Sequence, residues 1–241
     1  MAMLEVHGLR KEFGGLLAVK DLDMQLDAGE ILGLIGPNGA GKTTVFNLIS
    51  GFLHPSKGEM KFQGENLIGL KPHQICLKGI TRTFQTAQPF QSLTVLENVM
   101  IGGFSQGRKL SLIREKALEI LQLVGLSEVQ NQEASSVPIA SQKRLELAKA
   151  LATKPRLLLL DEVMAGLTFT EISEVLSILK KIRESSITIL LIEHVMHAVM
   201  SVCDRIIVLH HGEKIAEGNP KQVVEEKSVI DAYLGEDFAL A

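Results

Sequence analysis

The chain has 241 residues, 25 of them Lys or Arg and 28 Asp or Glu, for a formal net charge of −3. Hydrophobic residues make up 46% and charged residues 22%, the balance of a folded globular chain long enough to bury a sizeable core. Slight acidity argues against a basic face for nucleic acid or anionic lipid, no run reaches the ~18 apolar residues a bilayer span takes, and the first residues lack the form of a signal peptide.

Residues 4–9 read as a short strand, 19–26 alternate apolar and polar residues as a second, and 59–62 read as a third. Together they predict a small antiparallel sheet near the N-terminus. Ile31-Leu-Gly-Leu-Ile35 is a nearly unbroken apolar run, the pattern of a strand buried on both faces. A glycine-rich loop follows, and residues 43–50 continue as a helix closed by Gly51. From about residue 87 the character changes to helical spacing. Ile113, Ala117, Ile120, Leu121 and Val124 line one side of a helix over 112–124. A second helix is expected over 139–152, with Leu145, Ala148, Leu151 and Ala152 as its apolar face and Pro138 at its start.

Pro155 ends that stretch. Leu157-Leu-Leu-Leu160 then reads as another doubly buried strand, ending in Asp161-Glu162. A helix over 170–183, a strand over 187–192 ending in Glu193-His194, a helix over 195–202 and a strand over 205–209 follow. His211-Gly212 marks a hairpin turn into 213–216, and Asn219-Pro220 opens a last helix ending near Gly235. The alternation predicts an α/β fold: a mainly parallel sheet covered on both faces, formed by residues 1–86 and 155–241, with residues 87–154 inserted as a helical subdomain. Cys76 and Cys203 stand far apart in no metal or redox spacing and read as reduced thiols.

The loop Gly36-Pro37-Asn38-Gly39-Ala40-Gly41-Lys42-Thr43, with Thr44 behind it, meets the spacing G-x-x-x-x-G-K-T. This is the phosphate loop (P-loop) of nucleotide-binding ATPases. Glycines let successive N–H groups point inward and let the backbone approach a polyphosphate closely. The helix behind the loop presents its positive end to the same phosphates. Lys42 reaches the β- and γ-phosphates of ATP, and Thr43 offers a hydroxyl to Mg²⁺. Asp161 and Glu162 stand at the carboxyl end of a buried strand, where open α/β sheets bind ligands. Asp161 suits the Mg²⁺ water shell, and Glu162 is free to orient or deprotonate the attacking water.

Taken together and in order, these elements resemble the ATPase subunit of ATP-binding cassette (ABC) transporters over essentially the whole chain. The resemblance implies further roles. Phe13 stands where an aromatic stacks on adenine, although a core Phe would look the same. Gln85, in Arg82-Thr-Phe-Gln85, matches the glutamine that contacts Mg²⁺ and senses the permease. Gly166-Leu-Thr168 matches the loop after the catalytic Glu162, and His194 the switch histidine on the γ-phosphate. His197 lacks a third metal ligand and is set aside. One element departs from the family. Where Leu-Ser-Gly-Gly-Gln closes over the partner subunit's ATP, this chain has Val137-Pro-Ile-Ala-Ser141. Ile139, Ala140 and Ser141 keep backbone N–H groups for that purpose, but Pro138 offers neither hydroxyl nor N–H. Val163 likewise replaces a common proline.

Arg82-Thr-Phe-Gln85, Leu93-Thr-Val-Leu-Glu-Asn98, Arg144-Leu-Glu-Leu-Ala148 and Ile230-Asp-Ala-Tyr-Leu-Gly235 are similar to the ATPases of branched-chain and hydrophobic amino acid importers, whose relatives include importers of urea and short amides. The implied setting is the cytoplasmic face of a membrane. Implied partners are a second ATPase subunit (self or sister), two transmembrane permeases and, indirectly, an extracytoplasmic binding protein. Competing readings are a lipopolysaccharide-type export ATPase, to whose ending Tyr233–Phe238 is also similar, a non-transport cassette ATPase, and a regulatory subunit that hydrolyses poorly.

Overall fold

Two sheets carry the chain. The structure is a computed structural model that describes residues 2–85, 88–107 and 109–239, with side chains up to residue 233 apart from 106. The expected boundary between 86 and 87 lies outside the described residues. The first sheet is antiparallel, in the order β2 (Leu16–Asp27), β1 (Ala2–Phe13), β4 (Lys57–Phe62), β5 (Glu65–Asn66). Its strands run longer than the alternating pattern marked, because register shifts along β1 break the alternation without ending the pairing.

The second sheet has the order β10 (Glu213–Gly218), β9 (Arg205–His210), β3 (Ile31–Ile35), β8 (Thr188–Ile192), β7 (Leu157–Asp161), β6 (Ile80–Arg82). Every neighbouring pair from β9 to β6 is parallel, and β10 alone runs antiparallel. All residues of β3, β7 and β8 are buried, as their apolar runs demand. The β9–β10 hairpin turns at His211 and Gly212, at φ 47° and 82°, the left-handed pair that a two-residue hairpin uses.

Helices pack on both faces. α1 (Lys42–Ile49) seats Val45, Phe46, Leu48 and Ile49 in a core shared with both sheets. Burying each such side chain stabilises the fold by about 1.5–3 kcal/mol. On the other side, α3 (Val95–Gly103), α4 (Leu110–Leu123) and α5 (Ile139–Ala152) pack on one another. They share a core with β7, β8 and α6 (Phe169–Glu184). The faces expected for α4 and α5 are the buried ones. α2 (Pro72–Lys78), α3 and β6 were not expected from the sequence. α7 (Met196–Val202) links β8 to β9. The single C-terminal helix expected from Asn219 to Gly235 is two helices, α8 (Pro220–Val223) and α9 (Lys227–Ala239). Asn219-Pro220 opens α8 as expected, with Asn219 Oδ1 accepting from the N–H of Lys221, but the helix stops after a turn. Among the described residues no helix is long and apolar enough to cross a membrane.

Candidate nucleotide site

Strand order brings distant residues into one row. β3, β8 and β7 are consecutive neighbours, and each delivers candidate site residues at its carboxyl end. The glycine loop leaves β3, Glu193-His194 leave β8, and Asp161-Glu162 leave β7. β6 adds Arg82 at the sheet edge, three residues before Gln85.

The loop is shaped by positive φ angles at Gly36 (145°), Gly39 (76°) and Gly41 (105°). A Cβ on Gly36 would stand 2.1 Å from the Leu209 carbonyl oxygen, and one on Gly41 2.4 Å from that of Ala18. Lys42 is buried, and its Nζ donates to the carbonyls of Gly36 at 2.6 Å and Pro37 at 2.7 Å. A cavity of about 340 Å³ opens over the loop. It is lined by Phe13, Leu16, Ala18, Asn38, Gly39, Ala40, Gly41, Lys42, Thr43, Thr44, Glu162 and His194. Phe13 is 43% exposed on that rim, with Lys11 Nζ 4.9 Å from its ring centroid, so it is not a core residue.

Glu162 is held in the left-handed region at φ 50°, a conformation that costs a non-glycine residue of order 1 kcal/mol. Its N–H donates to the Ile192 carbonyl at 2.9 Å. Its carboxylate accepts from Gln85 Nε2 on one oxygen, at 2.6 Å, and pairs with His194 Nε2 on the other, at 2.9 Å. Two residues from two other segments therefore converge on the Glu162 carboxylate at the cavity mouth. Asp161 is buried, with Oδ2 on Arg82 Nη2 at 2.6 Å. Ile139, Ala140 and Ser141 do not line the cavity. Ile139 is 60% exposed, Ala140 and Ser141 are buried, and the Ser141 hydroxyl accepts from Arg144 at 3.4 Å.

Two residues that no sequence motif marks brace the loop after Glu162. Lys143, on α5, reaches across to the carbonyls of Glu162 and Ala165. Burial lowers its pKa, against the raising pull of Glu193 and Glu162. Glu193, 1% exposed, accepts the Met164 N–H at 2.7 Å through Oε1, while Oε2 has no partner among the described residues. A carboxylate ending an apolar run was the legible signal for it.

Burial pushes Glu193 up to about 7 from the ordinary 4.5, against the N–H groups of Met164 and His194 and the charge of Lys143. The folded state therefore holds more protons than the unfolded chain between these values. Stability falls as pH rises through that window, by about 3 kcal/mol in total. Glu193→Gln is expected to remove this slope. Urea unfolding at pH 5 and pH 8 checks it: the variant should gain on the native chain much more at pH 8 than at pH 5.

Residues 19–165, more than half of the chain, match the family described as "ABC transporter". The chain is 40% identical to the high-affinity branched-chain amino acid transport ATP-binding protein BraF of Pseudomonas aeruginosa, over 97% of this chain and 98% of that one. The chain belongs to the ABC transporter ATPases. A second match, "Branched-chain amino acid ATP-binding cassette transporter", covers residues 213–239 of this ABC ATPase. LivG of Escherichia coli K12, of the same description as BraF, is 40% identical over 97% and 98% of the two chains. Among solved structures, a nucleotide-free ATP-binding cassette from an ABC transporter superposes with a TM-score of 0.89 at 30% identity, over 97% of this chain and 99% of that one. A dimeric bacterial ABC transporter cassette superposes with a TM-score of 0.82 at 26% identity, over 90% and 99%.

Proposed function

We propose that this ABC ATPase hydrolyses Mg-ATP to drive the import of branched-chain amino acids, working on the cytoplasmic face of a membrane. The observation that carries the reading is the Glu162 carboxylate, held by Gln85 and His194 beside a cavity floored by the glycine loop. In this reading the loop N–H groups and Lys42 bind the β- and γ-phosphates, and Phe13 packs on the adenine. Glu162 orients a water and takes its proton, and His194 holds that carboxylate in line and meets the γ-phosphate.

Thr43, Asp161 and Gln85 offer a hydroxyl, a carboxylate and an amide oxygen, the hard oxygen donors that Mg²⁺ prefers. The fit is supported by Asp161, which among the described residues engages only Oδ2, through Arg82. When bound, the ion would neutralise charge on the phosphates. Residues 139–141 lie away from this chain's own cavity, which supports their serving ATP on a second ATPase subunit, identical or a sister. The amino-acid substrate class rests on the names of BraF and LivG and on the match over residues 213–239. Transport itself requires two permeases and an extracytoplasmic binding protein.

The test is to assemble the chain with its permeases and binding protein and to measure ATP hydrolysis. Leucine, isoleucine and valine are expected to stimulate it and charged amino acids to leave it unchanged. Stimulation by charged amino acids alone would contradict the substrate class.

A further inference from the structure

Arg82 closes β6, and its side chain crosses to Asp161 at the end of the neighbouring β7. Nη2 lies 2.6 Å from Asp161 Oδ2, and the two side chains are only 7% and 4% exposed. Nη1 donates to Asn47 Oδ1 on α1, the helix that follows the glycine loop, at 2.5 Å. The guanidinium lies over the rings of Phe46 and Phe84, 5.6 and 5.4 Å from their centroids, and among the described residues Nε has no hydrogen-bond partner. Burying two charges costs much of what their attraction gains, so replacing the pair by apolar residues is often neutral or stabilising. Stability alone is thus a poor reason for a cation here, whereas a buried carboxylate that must stay available to a metal is a good one.

We propose that Arg82 is the standing counter-ion of the metal-binding carboxylate: it neutralises Asp161 while Mg²⁺ is away and weakens the hold of the site on Mg²⁺ when the ion arrives. The proposal rests on the reading of Asp161 as a Mg²⁺ residue. Two cations that share one buried carboxylate repel each other, and each lowers the affinity of the site for the other. Arg82 is a positioning residue, since it acts through Asp161. Its place on the strand that leads into Gln85 ties the metal-holding carboxylate to the segment that would face a permease.

The experiment measures ADP affinity in EDTA and in Mg²⁺ and takes the ratio of the two dissociation constants as the contribution of the metal. In Arg82→Met this ratio is expected to rise about tenfold over the native chain. Arg82→Lys, which keeps a positive charge but loses the planar fork, should fall between the native and methionine ratios. Should the methionine variant fail to fold, Arg82→Gln carries the same test. A ratio unchanged or lowered in the neutral variant, with Asp161→Asn losing the Mg²⁺ effect, overturns the counter-ion role alone. An undiminished Mg²⁺ effect in Asp161→Asn overturns the reading of Asp161 and the counter-ion role with it.

Discussion

Replacing Glu162 by Gln is expected to lower ATP turnover by at least ~100-fold while ATP binding survives, because proton acceptance by a placed group is worth that much. The amide keeps the size of the carboxylate. One oxygen can still accept from Gln85 or from His194, whose atoms lie 2.6 and 2.9 Å from the native carboxylate. What is lost is the negative charge and the ability to take a proton from water. The glycine loop and Lys42 are untouched, so affinity for ATP should stay near native and bound ATP should persist in a closed pair of subunits. Single-turnover hydrolysis with equilibrium nucleotide binding checks both halves. Hydrolysis at the native rate in this variant would remove Glu162 from the chemistry.

Gly36→Ala is expected to be at least as severe, by a different route. Gly36 has φ 145°, and an added Cβ would lie 2.1 Å from the Leu209 carbonyl oxygen, which belongs to the neighbouring strand β9. Neither atom can move without displacing the sheet, so the loop must shift. The expected cost is about 3 kcal/mol or more in stability, with loss of nucleotide binding in whatever folds. Gly39→Ala is the control. Its φ of 76° is strained, but nothing lies within 4 Å of the added Cβ, so the cost should be about 1–2 kcal/mol. Denaturant unfolding of the two variants side by side tests the claim. Equal destabilisation would contradict the argument from close approach.

The parts of this fold that could be read from the sequence are those whose cause is local. Ile31–Ile35 and Leu157–Asp161 announce themselves as central strands because burial on both faces needs unbroken apolar runs. α3 illustrates the opposite case. Thr94 and Glu97 form a capping box at its start, but the helix ends in Gly102 and Gly103, and glycine disfavours a helix interior. The structure supplies the reason for Gly102: a Cβ there would stand 2.5 Å from the Lys149 carbonyl on α5, so glycine permits two helices to approach closely. β6 has three residues at the sheet edge, too few to show a pattern. The break between α8 and α9, at residues 224–226, carries no glycine or proline, so nothing local distinguishes it from helix.

The same division runs through the site. The glycine loop and Asp161-Glu162 are contiguous motifs, legible because a phosphate or a metal needs several groups from one short segment. The convergence of Gln85 and His194 on Glu162 spans 77 and 32 residues, and the Arg82–Asp161 pair spans 79. Such partners are chosen by strand order, which no local pattern encodes. Arg82 lies inside a motif that resembles the family's, but its partner is set by β6 lying beside β7.

The central claim is that this chain turns ATP hydrolysis at Glu162 into amino-acid import. The most direct measurement is accumulation of labelled leucine in sealed vesicles that hold the assembled permeases, this chain and the binding protein, with ATP supplied on the face that carries this chain. The account predicts ATP-dependent accumulation with the native chain and none with Glu162→Gln. Equal accumulation with both chains, or accumulation that persists without ATP, would contradict it.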